Sequence, residues 1–363
     1  MKGVRLLLLA AALAGCGGSS SESITIAAAG PWTQGFGAQN KRGLELAVSE
    51  INARGGIDGR TLVALTEDDE GNGAKAAAIA EAFVANPEVV GVIGHVNSGA
   101  TVAAARVYDG RLAAISTTAS TPDLSGLSRW VFRVISSDSV NGIDLARFAT
   151  SLGKQRAAIL YENDSYGRGL ADAFRRGFAG EVVGEDPIAN EPALIETHIA
   201  WLKTRSPDIV FVASTEQAGM SLLREARRQA LTADFLGGDG WLGVVADTVA
   251  SEGAYVGAPF SAEDPRPEAQ QFVRAFRARF GRAPDGNSAL AYDATNLMAA
   301  AIEAVGPDRE KIRDWLAGLT EQTAFKGVTG KISFRESGDV VGKGYVMTRV
   351  RNGALIVQNA GAP

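Results

Sequence analysis

Gly91-Val92-Ile93-Gly94-His95-Val96-Asn97-Ser98-Gly99-Ala100 and, one helical run later, Leu112-Ala113-Ala114-Ile115-Ser116-Thr117-Thr118-Ala119-Ser120-Thr121-Pro122-Asp123-Leu124 decide how this chain is read. Two short apolar strands, 89–93 and 112–115, each run into small hydroxyl residues, and small side chains there let a ligand approach the backbone. The first ends at Asn97-Ser98, where a helix is predicted to start; the second continues through 116–121 and is closed by Pro122. Ser or Asn at a helix start leaves amide N–H groups pointing outward, which suits an anion such as a carboxylate. Taken singly, Ser98 reads as a helix N-cap and residues 116–121 as a polar turn. Two such ends on neighbouring βα units carry more weight, because open α/β sheets bind ligands at the carboxyl ends of their strands.

Outward from this stretch the same alternation repeats. Residues 24–29 form a predicted strand, followed by a Gly-rich loop over 30–37 that carries Trp32 and Phe36. A helix then places Leu44, Ala47, Val48 and Ile51 on one face, and glycines at 55, 56 and 59 end it. A strand at 61–66, an acidic loop at 67–70 and a helix with Ala76, Ile79, Ala80 and Phe83 inward complete the lead-in. This alternation argues a parallel sheet with helices on both faces. A strand at 130–134 is followed by Ser136-Ser137-Asp138, which reads as a crossing segment.

The pattern then restarts. Helices are predicted at 140–152, 166–178, 193–204 and 217–230, and strands at 157–161, 181–184, 208–213, 235–237 and 254–256. Pro259 to Pro267 reads as a second linker, three helices follow at 267–280, 288–305 and 308–319, and strands at 331–334, 345–349 and 354–357 close the chain. The polar turn 335–339 is a third crossing. The expected architecture is α/β with two similar lobes, each a parallel-type sheet flanked by helices. Residues 24–136 plus 261–336 form one lobe and 137–260 plus 337–363 the other, joined by three crossings about which they can rotate.

Length and composition agree. The 363 residues are ample for two cores, and a net charge of −5 without a basic stripe argues against nucleic-acid binding. One Cys and two His exclude a disulfide framework or a structural zinc site within the monomer. That Cys follows a basic start, an apolar run over 6–14, and Leu13-Ala14-Gly15. The pattern resembles a bacterial lipoprotein signal, which implies a signal peptide at 1–15, cleavage before Cys16 and lipid on its thiol and new amino group. The plainer reading is a secretory signal with an incidental Cys. Residues 17–23 read as a flexible polar tether. No later stretch is long and apolar enough for a transmembrane helix.

Enzyme signatures are missing: there is no H-E-x-x-H, Walker A loop, G-x-S-x-G or C-x-x-C, and no cofactor is implied. His95 lacks the further partners of a triad and reads as a strand-end residue shaping the site or capping a core. Asp68-Asp69 reads as a helix-capping, solvated pair rather than a metal site. Trp32, Phe36, Tyr166 and Trp241 sit on strand-end loops, where an aromatic covers either a ligand or a lobe edge.

Several of these segments together resemble the leucine/isoleucine/valine-binding protein family. They are Asn52-Ala53-Arg54-Gly55-Gly56-Ile57-Asp58-Gly59-Arg60, Asp68-Asp69, residues 91–95 with Ser98, residues 115–122, Phe132-Arg133, Tyr166-Gly167 and Tyr292-Asp293-Ala294, in order along the chain. The resemblance implies a bilobed solute receptor of an ABC importer, taking a small amino acid of branched-chain type or an analogue. It implies permease subunits and, through Cys16, a membrane as partners. It further implies that Ser98 donates to the ligand carboxylate, the Ala119 carbonyl accepts from the ammonium, and Ser120 contacts both. Asp239 falls where members place a Glu that pairs with the ammonium, and Tyr166 matches a tyrosine that closes over the ligand. Thr215 stands where another tyrosine is usual, and Phe36 and Trp32 fall near a first-lobe aromatic. Asn97 stands in place of a Cys, so a bridge usual there is absent. A ligand-sensing receptor component for a signalling partner is the alternative; a hydrolase on the same scaffold lacks a nucleophile–base set.

Overall fold

The computed structural model describes residues 23–358; the lipoprotein-type signal, Cys16 and most of the tether lie outside them. The chain starts as a run of βα units: β1 (Ile24–Gly30), α1 (Gly35–Ala53), β2 (Leu62–Asp68), α2 (Gly73–Ala85), β3 (Val89–Gly94), α3 (Ser98–Tyr108), β4 (Ala114–Ser116) and β5 (Val131–Arg133). These strands form one parallel sheet in the order β2-β1-β3-β4-β5. β3 is buried along its whole length, as expected of a central parallel strand covered on both faces.

The second series is α4 (Asp138–Ser151), β6 (Arg156–Glu162), α5 (Ser165–Gly177), β7 (Glu181–Ile188), α6 (Pro192–Arg205), β8 (Ile209–Ala213), α7 (Glu216–Arg228), β9 (Asp234–Gly237) and β10 (Tyr255–Ala258). Then come α8 (Pro267–Phe280), α9 (Gly286–Val305), α10 (Arg309–Ala317), a small hairpin of β11 (Phe325–Gly327) and β12 (Gly330–Ile332), and finally β13 (Val346–Arg351) and β14 (Ala354–Val357). The second sheet has the order β14-β13-β10-β9-β8-β6-β7; its last two strands, β13 and β14, are antiparallel additions.

The return of the chain is written in the packing. Leu290, Ala294, Leu297, Met298 and Ile302 of α9 share a core with Ile24 and Ile26 of β1 and Ile93 of β3, so α9 belongs with the first sheet. Gly43 of α1 touches the Ser288 carbonyl so closely that a Cβ there would overlap it, which brings α1 and α9 together. Asp285 and Ser288 form a capping box that fixes where α9 begins. The polar turn 335–339 lies along β5: the Arg133 N–H donates to the Gly338 carbonyl at 3.0 Å, and Gly338 has φ +79°. The chain therefore passes between the sheets after β5, after β10 and after β12.

Local differences from the expected elements have clear causes. Ser137 accepts from the Ser139 N–H and starts α4 at Asp138, so Asp138 is a helix residue rather than part of a crossing. Residues 239–246 form a 3-10 segment where a loop was expected. β11, whose three residues are too few for a pattern, was not anticipated.

Candidate functional site

The ends of β3 and β4 are tied together by their small hydroxyl residues. Ser116 Oγ donates to the His95 carbonyl at 3.0 Å and Thr118 Oγ1 to the Val96 carbonyl at 3.0 Å. The N-cap of α3, Asn97, makes no side-chain cap bond, so the first-turn amides at Ser98 stay open. Beneath them lies a buried chain of three side chains. Asp69 Oδ2 is 2.5 Å from His95 Nδ1, and Tyr108 Oη is 3.1 Å from His95 Nε2. With Nδ1 paired to Asp69 and Nε2 to the Tyr108 hydroxyl, both ring nitrogens of His95 have partners. The second Asp69 oxygen accepts from the Gly71 N–H at 2.8 Å. Asp69 is fully buried, which corrects the expectation of a solvated pair; Asn72, not an aspartate, caps α2. His95 lies buried just past the end of β3, as a strand-end residue that shapes the site or caps a core would.

Facing this edge, the second sheet presents acid. Asp239 Oδ1 accepts from Tyr345 Oη at 2.6 Å and from Tyr166 Oη at 3.0 Å, and Tyr166 Oη accepts in turn from the Gly240 N–H at 3.1 Å. Burial raises the Asp239 pKa above the ordinary carboxylate range, and the two phenols hold it back. Asp138, at the first position of α4, is fully buried and neither of its oxygens has a hydrogen-bond partner. Burial pushes its pKa well above the ordinary range, and the charge of Asp239 pushes it further. Its backbone N–H donates to the Ser120 carbonyl at 2.8 Å, joining β4's loop to α4.

A cavity of about 160 Å³ lies between these edges, lined by Phe36, Asn97, Ser98, Tyr166, Thr215 and Asp239 among others. Five of the expected ligand residues thus meet here: Phe36, Ser98, Tyr166, Thr215 and Asp239. Ala119 and Ser120 are fully buried and do not line it. The Ala119 carbonyl accepts from Arg133 Nη1 at 3.5 Å, and Ser120 Oγ has no partner. Trp32 is also set back, packed on Gly30 with Lys41 Nζ 5.9 Å from its ring. Trp241 is a core residue wedged between Gly219 and Gly237, its Nε1 donating to Ser214 Oγ at 3.0 Å. Sequence reasoning missed Asp138 and Tyr345. Asp138 carried only the appearance of a crossing, and Tyr345 lies more than a hundred residues from its partner.

A larger cavity, about 960 Å³, lies elsewhere, between residues 259–266 and 341–346. Its charges of both signs include pairs that already neutralise each other, such as Arg266 with Asp264. The smaller cavity is the one that sets a buried carboxylate, Asp239, with no Lys, Arg or His in its lining, opposite the start of α3 at Ser98, and we place the site there. Among the described residues no group of three or more His, Cys, Asp or Glu is arranged to hold a metal ion.

A cleft between the carboxyl ends of two such sheets is matched over residues 24–354 by a family model described as a periplasmic binding protein. The chain belongs to the periplasmic binding protein family. This binding protein is 30% identical over 363 residues to an amino acid binding protein of Pseudomonas aeruginosa, covering 95% of each chain. It is 31% identical over 356 residues to the Leu/Ile/Val/Thr-binding protein of Salmonella typhimurium, covering 94% of this chain and 95% of that one. Among solved structures it resembles the ABC transporter substrate-binding protein of Desulfitobacterium hafniense in complex with Leu, at 31% identity and a TM-score of 0.80, over 93% of this chain and 100% of that one. These relatives are binding proteins rather than enzymes, in keeping with a sequence that lacks a nucleophile–base set. The fold is that of a type I periplasmic binding protein.

Proposed function

We propose that this chain is the extracytoplasmic substrate-binding component of an ABC importer and that it holds a small α-amino acid, of branched-chain type or a close analogue, between two closing lobes. The relatives named for amino acids support the ligand class. The lobes are 24–136 plus 261–336 and 137–260 plus 337–363. The observation that carries the reading is Asp239, a buried carboxylate that lines the cavity with no Lys, Arg or His in the lining beside it, and with the buried Asp138 near enough for the two charges to act on each other. Such a site is completed by a cation. The ammonium meets Asp239, with Asp138 and the Ala119 carbonyl behind it. The ligand carboxylate meets Ser98 and the open amides of α3, with the Ser120 hydroxyl beside it. Tyr166 closes over the ligand, and Thr215 and Phe36 belong to the wall around its side chain, with Trp32 set back behind them.

The anion partners lie on the first lobe and Asp239 on the second, so the ligand neutralises both edges only when the lobes meet. Ligand is thereby linked to closure, which permease subunits can read. Cys16 carries lipid and tethers the protein to the membrane; a Cys16→Ala variant released into the soluble fraction supports this, and one that stays in the membrane overturns it. Calorimetry with end-blocked ligands tests the zwitterion. Leucine, valine or threonine binds, whereas the N-acetyl and carboxamide derivatives bind at least about a hundredfold more weakly. Undiminished binding of an N-acetyl amino acid overturns the reading.

A further inference from the structure

Beyond the groups given to the ammonium and carboxylate, four residues of the cavity wall present hydrogen-bond acceptors without a donor partner, beside the amide groups of Asn97 and Asn287. The Thr215 hydroxyl donates to Glu162 Oε1 at 2.9 Å while its N–H donates to Oε2 at 2.8 Å, so its one hydrogen is committed and its lone pairs remain. Thr118 is in the same position, its hydrogen given to the Val96 carbonyl. The Asn97 side-chain oxygen is buried and has no partner. Asp164 uses Oδ1 to accept from the Gly167 N–H at 2.8 Å, which leaves its other oxygen open. All four residues line the cavity, and no Lys, Arg or His does. Phe36 and Val96 supply the apolar contact, enough for a Cβ or a methyl group.

Resting on the amino-acid reading above, we infer that the side-chain end of this site is built for a hydrogen-bond donor: its preferred ligand is an amino acid with a short hydroxyl or carboxamide side chain. An aliphatic side chain desolvates these acceptors and gives them nothing in return, which is costlier than the loss of an ordinary contact. A carboxylate side chain meets acceptors with another acceptor and is rejected by charge as well. The cavity, about 160 Å³, suits a side chain of a few heavy atoms.

Matched pairs of nearly equal shape isolate this effect. Calorimetry on the full chain is expected to give threonine about tenfold tighter than valine, and asparagine about tenfold tighter than leucine. Aspartate binds about a hundredfold more weakly than asparagine. In Thr215→Val or Asn97→Leu the threonine-over-valine ratio falls several-fold toward one, and Thr215→Ser restores it. Thermal midpoints close to that of the parent show that each variant is folded, and either variant alone suffices. Valine and leucine binding as tightly as threonine and asparagine overturns the inference and leaves the amino-acid reading standing. If no amino acid binds, alanine included, both fall together.

Discussion

Asp239→Asn separates charge from shape at the cation end of the cleft. The carboxamide oxygen of Asn still accepts from Tyr345 and Tyr166, whose hydroxyls stand 2.6 and 3.0 Å from Asp239 Oδ1, so the local fold is kept. Only the negative charge is lost. Truncating one partner of a buried, hydrogen-bonded charge pair costs about 2–5 kcal/mol, most of it from leaving the other charge unpaired. A unit pair at 4 Å and an effective dielectric of 20 interacts by about 4 kcal/mol, the same scale. The neighbouring buried Asp138 still contributes negative charge behind the site, which places the expected loss toward the lower end, about 2–3 kcal/mol, or a dissociation constant raised about thirty- to two-hundredfold. Isothermal titration of the parent and variant with the same amino acid measures it. The ligand-free variant keeps or slightly raises its thermal midpoint, because an ionised buried group has been removed. A dissociation constant within about twofold of the parent, in a variant that is folded, would refute Asp239 as the ammonium partner.

The raised pKa values of Asp138 and Asp239 give binding a pH dependence. The ammonium requires ionised carboxylates, so affinity falls as pH drops from neutral toward their raised folded pKa values. In the ligand-free protein these two groups contribute stability that is full below the ordinary Asp range and is lost as pH rises through the folded pKa. Thermal midpoints with and without ligand are therefore expected to converge on acidification; a gap that stays constant from neutral pH down through the ordinary Asp range contradicts this. Arg133 is buried and donates to Asp339 at 2.7 Å, to the Thr121 carbonyl at 2.8 Å and to Ser125 Oγ at 2.8 Å, so Arg133→Met is expected to cost about 3–5 kcal/mol in urea unfolding. A Cβ at Gly237 would overlap the Trp241 ring, and Gly237→Ala is expected to lower stability by about 1–3 kcal/mol by the same measurement. Asp138→Asn combined with Asp239→Asn removes like-charge repulsion and buried charge within the second lobe, and the ligand-free double variant is expected to show a higher thermal midpoint at neutral pH than the ligand-free parent; an unchanged or lower midpoint contradicts this.

Periodicity and turn chemistry made the fold legible. The apolar run 89–93 became the buried centre of the first sheet, and the Pro- and acid-rich stretch read as a linker connects β10 to α8. The end proposed for the ligand carboxylate was legible for the same reason: Ser98 and the hydroxyls after β4 are local features of a strand-to-helix turn. At the end proposed for the ammonium, Asp239 and Tyr166 were legible only through the family resemblance, and Asp138 and Tyr345 were not. Asp138 depends on a cap at Ser137 and on the burial of α4, and Tyr345 reaches Asp239 only because β13 pairs with β10. No single stretch of sequence carries either fact. Trp241 misled for a related reason, since only the two facing glycines, Gly219 and Gly237, reveal that its loop folds inward.

The placement of the two carboxylates explains why closure should need a ligand at all. Asp138 stands just past the first passage between the sheets, bound through its N–H to the Ser120 carbonyl, and Tyr345, at the end of the third passage, donates to Asp239. Both carboxylates belong to the second lobe, so closure without a cation lays the first lobe over two like charges already near each other and takes them out of water with no counter-charge, which desolvation disfavours. A ligand favours the closed form only by its differential affinity for it, and the ammonium has that differential because its partners converge only there. A bare carboxylate anchored at Ser98 would occupy the first edge in the open form equally well, and would therefore bind without closing the protein.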